Sequence, residues 1–416
     1  MLCAYHSLLL CFKYLLMKIG LLKEEKIISD ERVALTPNQC KLFVEIYPNT
    51  ELVIMSSDIR CFSDEEYKEQ GIKVVHDVSD CDILIGIKEV PKKSLIPNKT
   101  YFFFSHTIKE QPYNRELLRK MIKLNISMVD YEVLKDNSGK RLLGFGRYAG
   151  IVGAYNGLLT YGLTSGKYTL KAAHKCVDRL EMEGEMRKIS LDNEKIIVTG
   201  NGRVGNGVME IMKKSGVKEV SKNEFLENSF DNAVFAHLDT MDYNIRKDGS
   251  ISDKQEFYNN PELYKSSFMR YAKKADIFIA GHYYSADSPF LFTREDAKAN
   301  DFNLKVVADI SCDIDGPVAS TIRPSTISNP IYGYNPNTEN EDSFLQEGNI
   351  AVMAVDNLPC ELPKDSSEDF GNELLEKIFP SLINGDNEAI IENATICKNG
   401  DLTLNFEYLR DYLNGN

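Results

Sequence analysis

The sequence predicts an α/β protein of two domains, each with a mainly parallel sheet, and three observations carry that reading. Short β-branched runs alternate with helical or polar spacers over residues 17–130, the rhythm of a parallel sheet with crossover helices. A second series starts at Lys195, where a β-branched run ends in Gly200, Gly202 and Gly205 at G-x-G-x-x-G spacing and an apolar helical pattern follows. A length of 416 residues also exceeds one ordinary core. Strand, glycine turn and helix in that order make the second domain a Rossmann dinucleotide-binding domain.

Taken in order, residues 1–16 stand apart. Residues 7–12 are apolar like the core of a secretory signal, yet no basic segment precedes them, no small-residue cleavage site follows and Lys13 interrupts them. Met17 then opens a strand-like run, so residues 1–16 are expected to be a disordered extension ahead of the natural start. Strands are expected at 19–22, 51–55, 72–75, 82–87, 101–104 and 127–130. Thr36-Pro37 is a helix start, with threonine as cap and proline at the first helical position, and it leaves Arg32 on the preceding loop.

Residues 148–186 are helix-prone and rich in small side chains, a connector between domains. Further strands are expected at 217–220, 233–236, 275–280 and 305–310. Beyond Pro330 the chain is irregular until 349–356, and 367–383 is amphipathic and helical; these last elements are expected to return to the first domain. The predicted division is therefore 17–150 with 330–416 as the catalytic domain, and 151–329 as connector helix and Rossmann domain.

Composition excludes several functions. The net charge is −13 with no basic cluster, which leaves nothing to neutralise phosphates and argues against nucleic acid. No apolar run reaches the 18 residues of a membrane span. Nine cysteines form neither C-x-x-C pairs nor a Cys/His cluster, so no metal is suggested, and reduced thiols in a cytoplasmic protein are the expectation.

Chemistry is expected at two places. In the glycine turn, Gly200 allows the sharp bend, Gly202 lets the backbone approach a pyrophosphate and Gly205 lets helix and strand pack closely. With Arg203 and Val204, which open the helix, they are the candidate cofactor ligands. In the first domain, the strand at 82–87 runs into Lys88-Glu89 and the strand at 101–104 runs through Ser105 into His106. Strand carboxyl ends in a parallel sheet open onto the ligand cleft. A lysine there loses hydration, which favours its basic form, and histidine titrates near neutrality, so Lys88 and His106 form a candidate acid/base pair. The alternative is that Lys88 reaches solvent and His106 satisfies a backbone carbonyl. A third strand ends in Asp130-Tyr-Glu132. Glu132 is placed to tune a neighbouring base, while Arg141, like Arg32, offers a planar fork of donors for a carboxylate, or is simply a surface residue.

These fragments together resemble a known family. Glu31-Arg-Val-Ala-Leu-Thr-Pro37, Gly86-Ile-Lys-Glu-Val-Pro91, Phe103-Phe-Ser-His-Thr107, Asp130-Tyr-Glu132 and the run from Gly139 to Gly150 are similar to the lysine-forming saccharopine dehydrogenases, most of all to the lysine-ketoglutarate reductase module of the bifunctional enzymes. The runs 309–316 and 354–363 extend the resemblance over roughly residues 17–380. Alanine dehydrogenases share the fold and the Arg32, Lys88 and His106 motifs. The Lys-Glu pair, the Asp-Tyr-Glu strand and Asp356-Asn-Leu-Pro359 favour the saccharopine branch.

The resemblance implies that Lys88 and His106 are acid/base catalysts, that Arg32 and Arg141 hold substrate carboxylates, and that Glu89 and Glu132 modulate the two bases. It places Asp313 near the nicotinamide, with Asp309 the weaker candidate. The implied activity is reversible oxidation of saccharopine to lysine and 2-oxoglutarate, with NAD or NADP as cofactor, in a cleft between the two domains. No metal is required. Saccharopine carries three carboxylates, which suits converging arginines in an acidic protein.

Two departures stand out. The run 217–220 ends in Ser221-Lys222-Asn223 where a carboxylate usually binds a ribose 2′-hydroxyl, which leaves NAD against NADP open and makes Lys222 a candidate for a 2′-phosphate. The second, glutamate-forming module of the bifunctional enzymes does not follow. The expected partner is a small molecule, in a monomer or homo-oligomer. The competing readings are an alanine or other amino-acid dehydrogenase on the same scaffold, and a nucleotide-binding sensor without turnover.

Overall fold

The computed structural model describes residues 17–25, 30–285 and 287–415, so the extension expected at 1–16 lies outside the described residues. The chain divides into two compact units, Met1–Leu143 with Ser367–Asn416, and Gly144–Ser366.

The first unit is built on strands β1 (Met17–Leu21), β2 (Thr50–Met55), β3 (Lys73–Val75), β4 (Ile83–Ile85), β5 (Thr100–Phe103) and β6 (Ser127–Asp130). The second contributes β7 (Lys195–Thr199), β8 (Lys218–Glu219), β9 (Val234–Leu238), β10 (Asn244–Arg246), β11 (Tyr264–Ser266), β12 (Ile277–Ala280), β13 (Val306–Asp309), β14 (Ile331–Asn335), β15 (Asn340–Asp342) and β16 (Ile350–Met353). The chain then returns to the first unit with β17 (Thr395–Lys398) and β18 (Asp401–Leu402).

The first sheet has the order β18-β17-β6-β5-β4-β1-β2-β3. From β3 to β6 every pairing is parallel, and β17 and β18 close one edge antiparallel. Strand β4 is buried along its whole length, as the continuous apolar run Ile83-Leu-Ile85 requires of a central parallel strand. The helix Pro37–Ile46 begins with the expected cap, Thr36 and Gln39 bonding each other's backbone amides in a capping box. Gln39 also donates to the Glu368 carbonyl at 2.7 Å and to Asn372 Oδ1 at 2.8 Å, while the Val33 amide donates to Ser367 Oγ at 2.9 Å. These bonds fasten the Arg32 loop to the returning chain.

The second sheet has the order β15-β14-β16-β13-β12-β7-β9-β8. It is parallel from β8 to β16, with β14 and β15 antiparallel at one edge. The mainly parallel two-sheet α/β architecture is thus as the sequence reads. Two boundaries differ. Strands β14 and β16 pair with each other and, through β16, with β13, so residues 330–366 belong to the second unit and the return to the first unit falls at Ser367. The connector is not one long helix: Gly146–Ser165 ends at Gly166, whose φ of +69 terminates it, and only the short helix Arg179–Glu185 resumes. The connector helix needs its glycines where it crosses the helix Arg203–Lys214. A Cβ at Gly150 would stand 2.0 Å from the Val204 carbonyl oxygen.

Candidate functional site

In the first unit, three adjacent parallel strands deliver the candidate residues side by side. Strand β4 ends just before Lys88 and Glu89, β5 just before His106, and β6 just before Glu132, because β4 pairs with β5 and β5 with β6. The strand ends are tied together. The Phe104 amide donates to the Ile87 carbonyl at 2.9 Å, and the Tyr131 hydroxyl donates to the Gly86 carbonyl at 3.0 Å.

His106 sits at the centre. Its Nε2 lies 3.6 Å from Glu89 Oε1 and its Nδ1 lies 3.5 Å from Glu132 Oε2. Those separations exceed a good hydrogen bond, and a small shift would tighten them. The ring stacks on Phe104 with centroids 6.3 Å apart, and the backbone is left-handed at φ 54, a conformation rare outside glycine and asparagine that concentrates at functional sites. Lys109 Nζ reaches Glu132 Oε1 at 3.3 Å. Burial opposes ionisation of Glu132, but His106, Lys109 and Arg141 outweigh it and pull its carboxyl down to about 2. Glu132 is therefore a carboxylate throughout the working pH range. Arg141 lies over the Phe104 ring at 5.5 Å and donates through Nε to the Leu143 carbonyl at 2.9 Å.

The side of the site toward β1 is acidic and buried. Arg32 is 4% exposed and holds Asp30 in a two-pronged pair, Nε to Oδ1 at 2.9 Å and Nη2 to Oδ2 at 2.6 Å. Burial opposes the charge of Asp30, yet Arg32 and, further off, Lys88 hold its carboxyl below the usual range. Glu24 accepts the Ile87 and Lys88 amides at 2.7 and 3.0 Å, which fixes the backbone from which the Lys88 side chain departs. Burial, and then Asp30, push Glu24 up to about 7.

Sequence reasoning missed Glu24 and Asp30, and it quoted Asp130 only as part of a motif. Asp130 accepts the Ser105 amide at 3.0 Å, the Ser105 hydroxyl and the Glu132 amide at 2.7 Å, so one carboxyl positions the turns carrying His106 and Glu132. Burial raises it to about 6. A strand-terminal aspartate within two residues of a candidate acid was the available signal.

In the second unit, the glycine turn has the shape the spacing calls for. Gly200 has φ +99, and a Cβ there would lie 2.2 Å from the Gly281 carbonyl oxygen; a Cβ on Gly205 would lie 1.8 Å from that of Gly200. At Gly202 a Cβ would meet nothing within 4 Å, leaving the backbone open to a ligand. The helix Arg203–Lys214 starts directly after it, so Arg203, Val204 and Gly205 form its first turn, a helix N-terminus that fits a dinucleotide pyrophosphate. Asp309 is buried, accepts the Thr321 hydroxyl at 2.7 Å and is raised by burial to about 6, a role internal to the fold. Asp313 is half-buried, and its charge is felt at Asp309 and Tyr284.

Among the described residues no cluster of His, Cys, Asp and Glu could hold a metal, and no helix is long and apolar enough to cross a membrane.

Residues 20–152 match the alanine dehydrogenase/PNT N-terminal domain family. The chain is 27% identical to the mitochondrial alpha-aminoadipic semialdehyde synthase of Bos taurus, over 94% of this chain and 47% of that protein, so it spans about half the length of that relative. It is 28% identical to the saccharopine dehydrogenase [NAD(+), L-lysine-forming] of Schizosaccharomyces pombe, over 85% of this chain and 89% of that one. Among solved structures an L-alanine dehydrogenase superposes with a TM-score of 0.63 at 16% identity, covering 95% of this chain and all of that one, which shows the shared fold. Over most of its length the chain resembles the lysine-forming saccharopine dehydrogenases, on a fold it shares with alanine dehydrogenase.

Proposed function

We propose that the chain is an oxidoreductase acting on the CH–NH bond of saccharopine, reversibly giving L-lysine and 2-oxoglutarate with a nicotinamide dinucleotide. The observation that carries this is the convergence of Lys88, Glu89, His106 and Glu132 at three neighbouring strand ends, in a chain similar over most of its length to enzymes named for that reaction. In the synthetic direction the lysine amine and the 2-oxoglutarate ketone lose one water to give an imine, which gains a hydride and a proton to become the secondary amine. A bound nicotinamide supplies or accepts the hydride.

The protein residues move the protons. Lys88, held by its own amide on Glu24, is the base for the secondary amine. His106 activates or releases the water of the imine step. With a carboxylate facing each ring nitrogen, a proton gained on either one meets an acceptor. Glu89 and Glu132 modulate these two bases, and Arg141, beside Glu132, meets a substrate carboxylate. Arg32 already donates to Asp30, so a substrate carboxylate there would share the guanidinium with it. Gly200, Gly202, Arg203, Val204, Gly205 and Asp313 hold the dinucleotide. A cytoplasmic location fits the seven described cysteines, all of them free thiols.

The match of residues 20–152 to the alanine dehydrogenase/PNT family supports a second reading, an amino-acid dehydrogenase of the alanine type. Steady-state assays of reduced-nucleotide oxidation separate the two. Turnover with lysine plus 2-oxoglutarate that falls by at least about a hundredfold in Lys88→Met supports the first reading. Turnover only with pyruvate plus ammonia establishes the second.

A further inference from the structure

The C-terminal half of the helix Gly146–Ser165 faces a cavity that is separate from the glycine turn. Gly166, with φ +69, turns the chain back at the end of that helix. The returning segment is tied to the same helix: the Tyr155 hydroxyl donates to the Lys171 carbonyl at 2.6 Å and the Tyr168 hydroxyl to the Leu158 carbonyl at 2.8 Å. Between this segment, the helix and residues of β14 and β16 lies a cavity of about 590 Å³, within the size range of small-molecule sites. All of its lining lies in the second unit, and none of it belongs to the glycine turn.

Leu159, Leu163, Phe344 and Met353 give the cavity apolar walls, while Glu361, His174 and Lys175 add titratable groups to its lining. Glu361 is 3% exposed. Its Oε1 accepts from Asn156 Nδ2 at 2.8 Å, but its Oε2 meets only His174 Nδ1, at 3.6 Å, and has no hydrogen bond among the described residues. Thr160, also in the lining, does not supply one, because its hydroxyl donates to the Asn156 carbonyl at 2.7 Å. A buried carboxylate oxygen without a donor is unfavourable, and a donor that enters the cavity removes that cost.

We propose that this cavity binds an apolar α-amino acid, whose ammonium donates to Glu361 Oε2 and whose side chain lies on Leu159, Leu163, Phe344 and Met353. An ammonium is the donor that a buried carboxylate holds most strongly. His174, beside the same oxygen, is placed to donate to the carboxylate that adjoins the ligand's ammonium, and Lys175 adds positive charge for it. The apolar walls offer no partner to an ε-ammonium, so L-lysine would have to bury that charge unpaired and is rejected. The ligand is therefore a different amino acid from the substrate of the proposed reaction, and the inference does not depend on that reaction.

Isothermal titration calorimetry of the full chain with L-leucine, isoamylamine and 4-methylpentanoate tests this. L-leucine should bind most tightly, with a Kd below about 1 mM, isoamylamine more weakly, and 4-methylpentanoate not at all. Glu361→Gln, which can still accept from Asn156, should weaken L-leucine binding at least about tenfold. Leu163→Trp, which fills the cavity from an exposed position and leaves the bonds of Glu361 in place, should abolish it, with melting curves showing that both variants fold. An L-leucine Kd above about 1 mM, an affinity for 4-methylpentanoate equal to that for L-leucine, or displacement of bound L-leucine by an equal concentration of L-lysine overturns the assignment. So does an L-leucine affinity unchanged in either folded variant. A wild-type dimer in sedimentation that Leu163→Trp dissociates, with no L-leucine bound, also overturns it and makes the occupant a second copy of the chain.

Discussion

Asp130 Oδ2 takes the amide of Ser105 at 3.0 Å while its Oδ1 takes that of Glu132 at 2.7 Å, so the two turns that present His106 and Glu132 hang on one buried carboxyl. An amide in its place has only one acceptor atom for these donors. Asp130→Asn should therefore leave a buried amide unpaired, cost about 1–3 kcal/mol in urea denaturation, and lower kcat/KM more than it raises KM. Unchanged stability and activity would show that the two turns are positioned independently.

Glu24 makes stability depend on pH in a defined direction. Burial, and then Asp30, raise its carboxyl to about 7. Below its unfolded value the group is neutral in both states and its contribution is fully present; as pH rises through 7 the folded state must ionise it against burial, and up to about 3 kcal/mol is lost. Denaturation between pH 5 and 8 should show the wild type losing stability relative to Glu24→Gln across that window. Parallel curves would contradict the assignment.

Glu132 acts in the opposite sense, since its carboxyl is pulled down to about 2. Its contribution is present above the usual carboxylate range and is lost as pH falls towards 2. In Glu132→Gln the His106 ring loses its carboxylate neighbour at 3.5 Å, so steady-state assays should show kcat/KM falling by at least about tenfold. An unchanged kcat/KM would separate Glu132 from the base.

Gly150→Ala should cost about 3 kcal/mol or more, because the new methyl meets the Val204 carbonyl oxygen rather than a side chain that can turn away. It should also weaken NADH binding, since Val204 lies in the first turn after Gly202. Gly184→Ala, in the helix Arg179–Glu185 with nothing within 4 Å of its new methyl, is the control and should be neutral or stabilising by up to about 1 kcal/mol. Thermal melts of the two variants check both.

Local patterns made most of the scaffold legible. Lys88, His106 and Glu132 follow three short apolar runs, and parallel pairing of those runs is enough to bring their ends together. The glycine turn was readable for the same reason, since its three glycines fall within six residues. What escaped was set by partners distant in sequence. Glu24 matters through amides 63 and 64 residues away. The position of β9 beside β7 depends on a two-residue β8 too short to announce which side it joins, so the strand end neighbouring the glycine turn is that of β9 and not that of β8. Strand β14, Ile331-Tyr-Gly-Tyr-Asn335, carries a glycine and ends in a polar turn, so its antiparallel place on the second sheet was not visible in its composition.

The measurement that bears most directly on the account is mass analysis of the product formed from L-lysine, 2-oxoglutarate and NADH by the wild type and by Lys88→Met. The account predicts a reduced lysine–glutarate adduct, one formed per NADH consumed, from the wild type and almost none from the variant. Alanine from pyruvate and ammonia with no such adduct, or an adduct formed equally well by Lys88→Met, would contradict it.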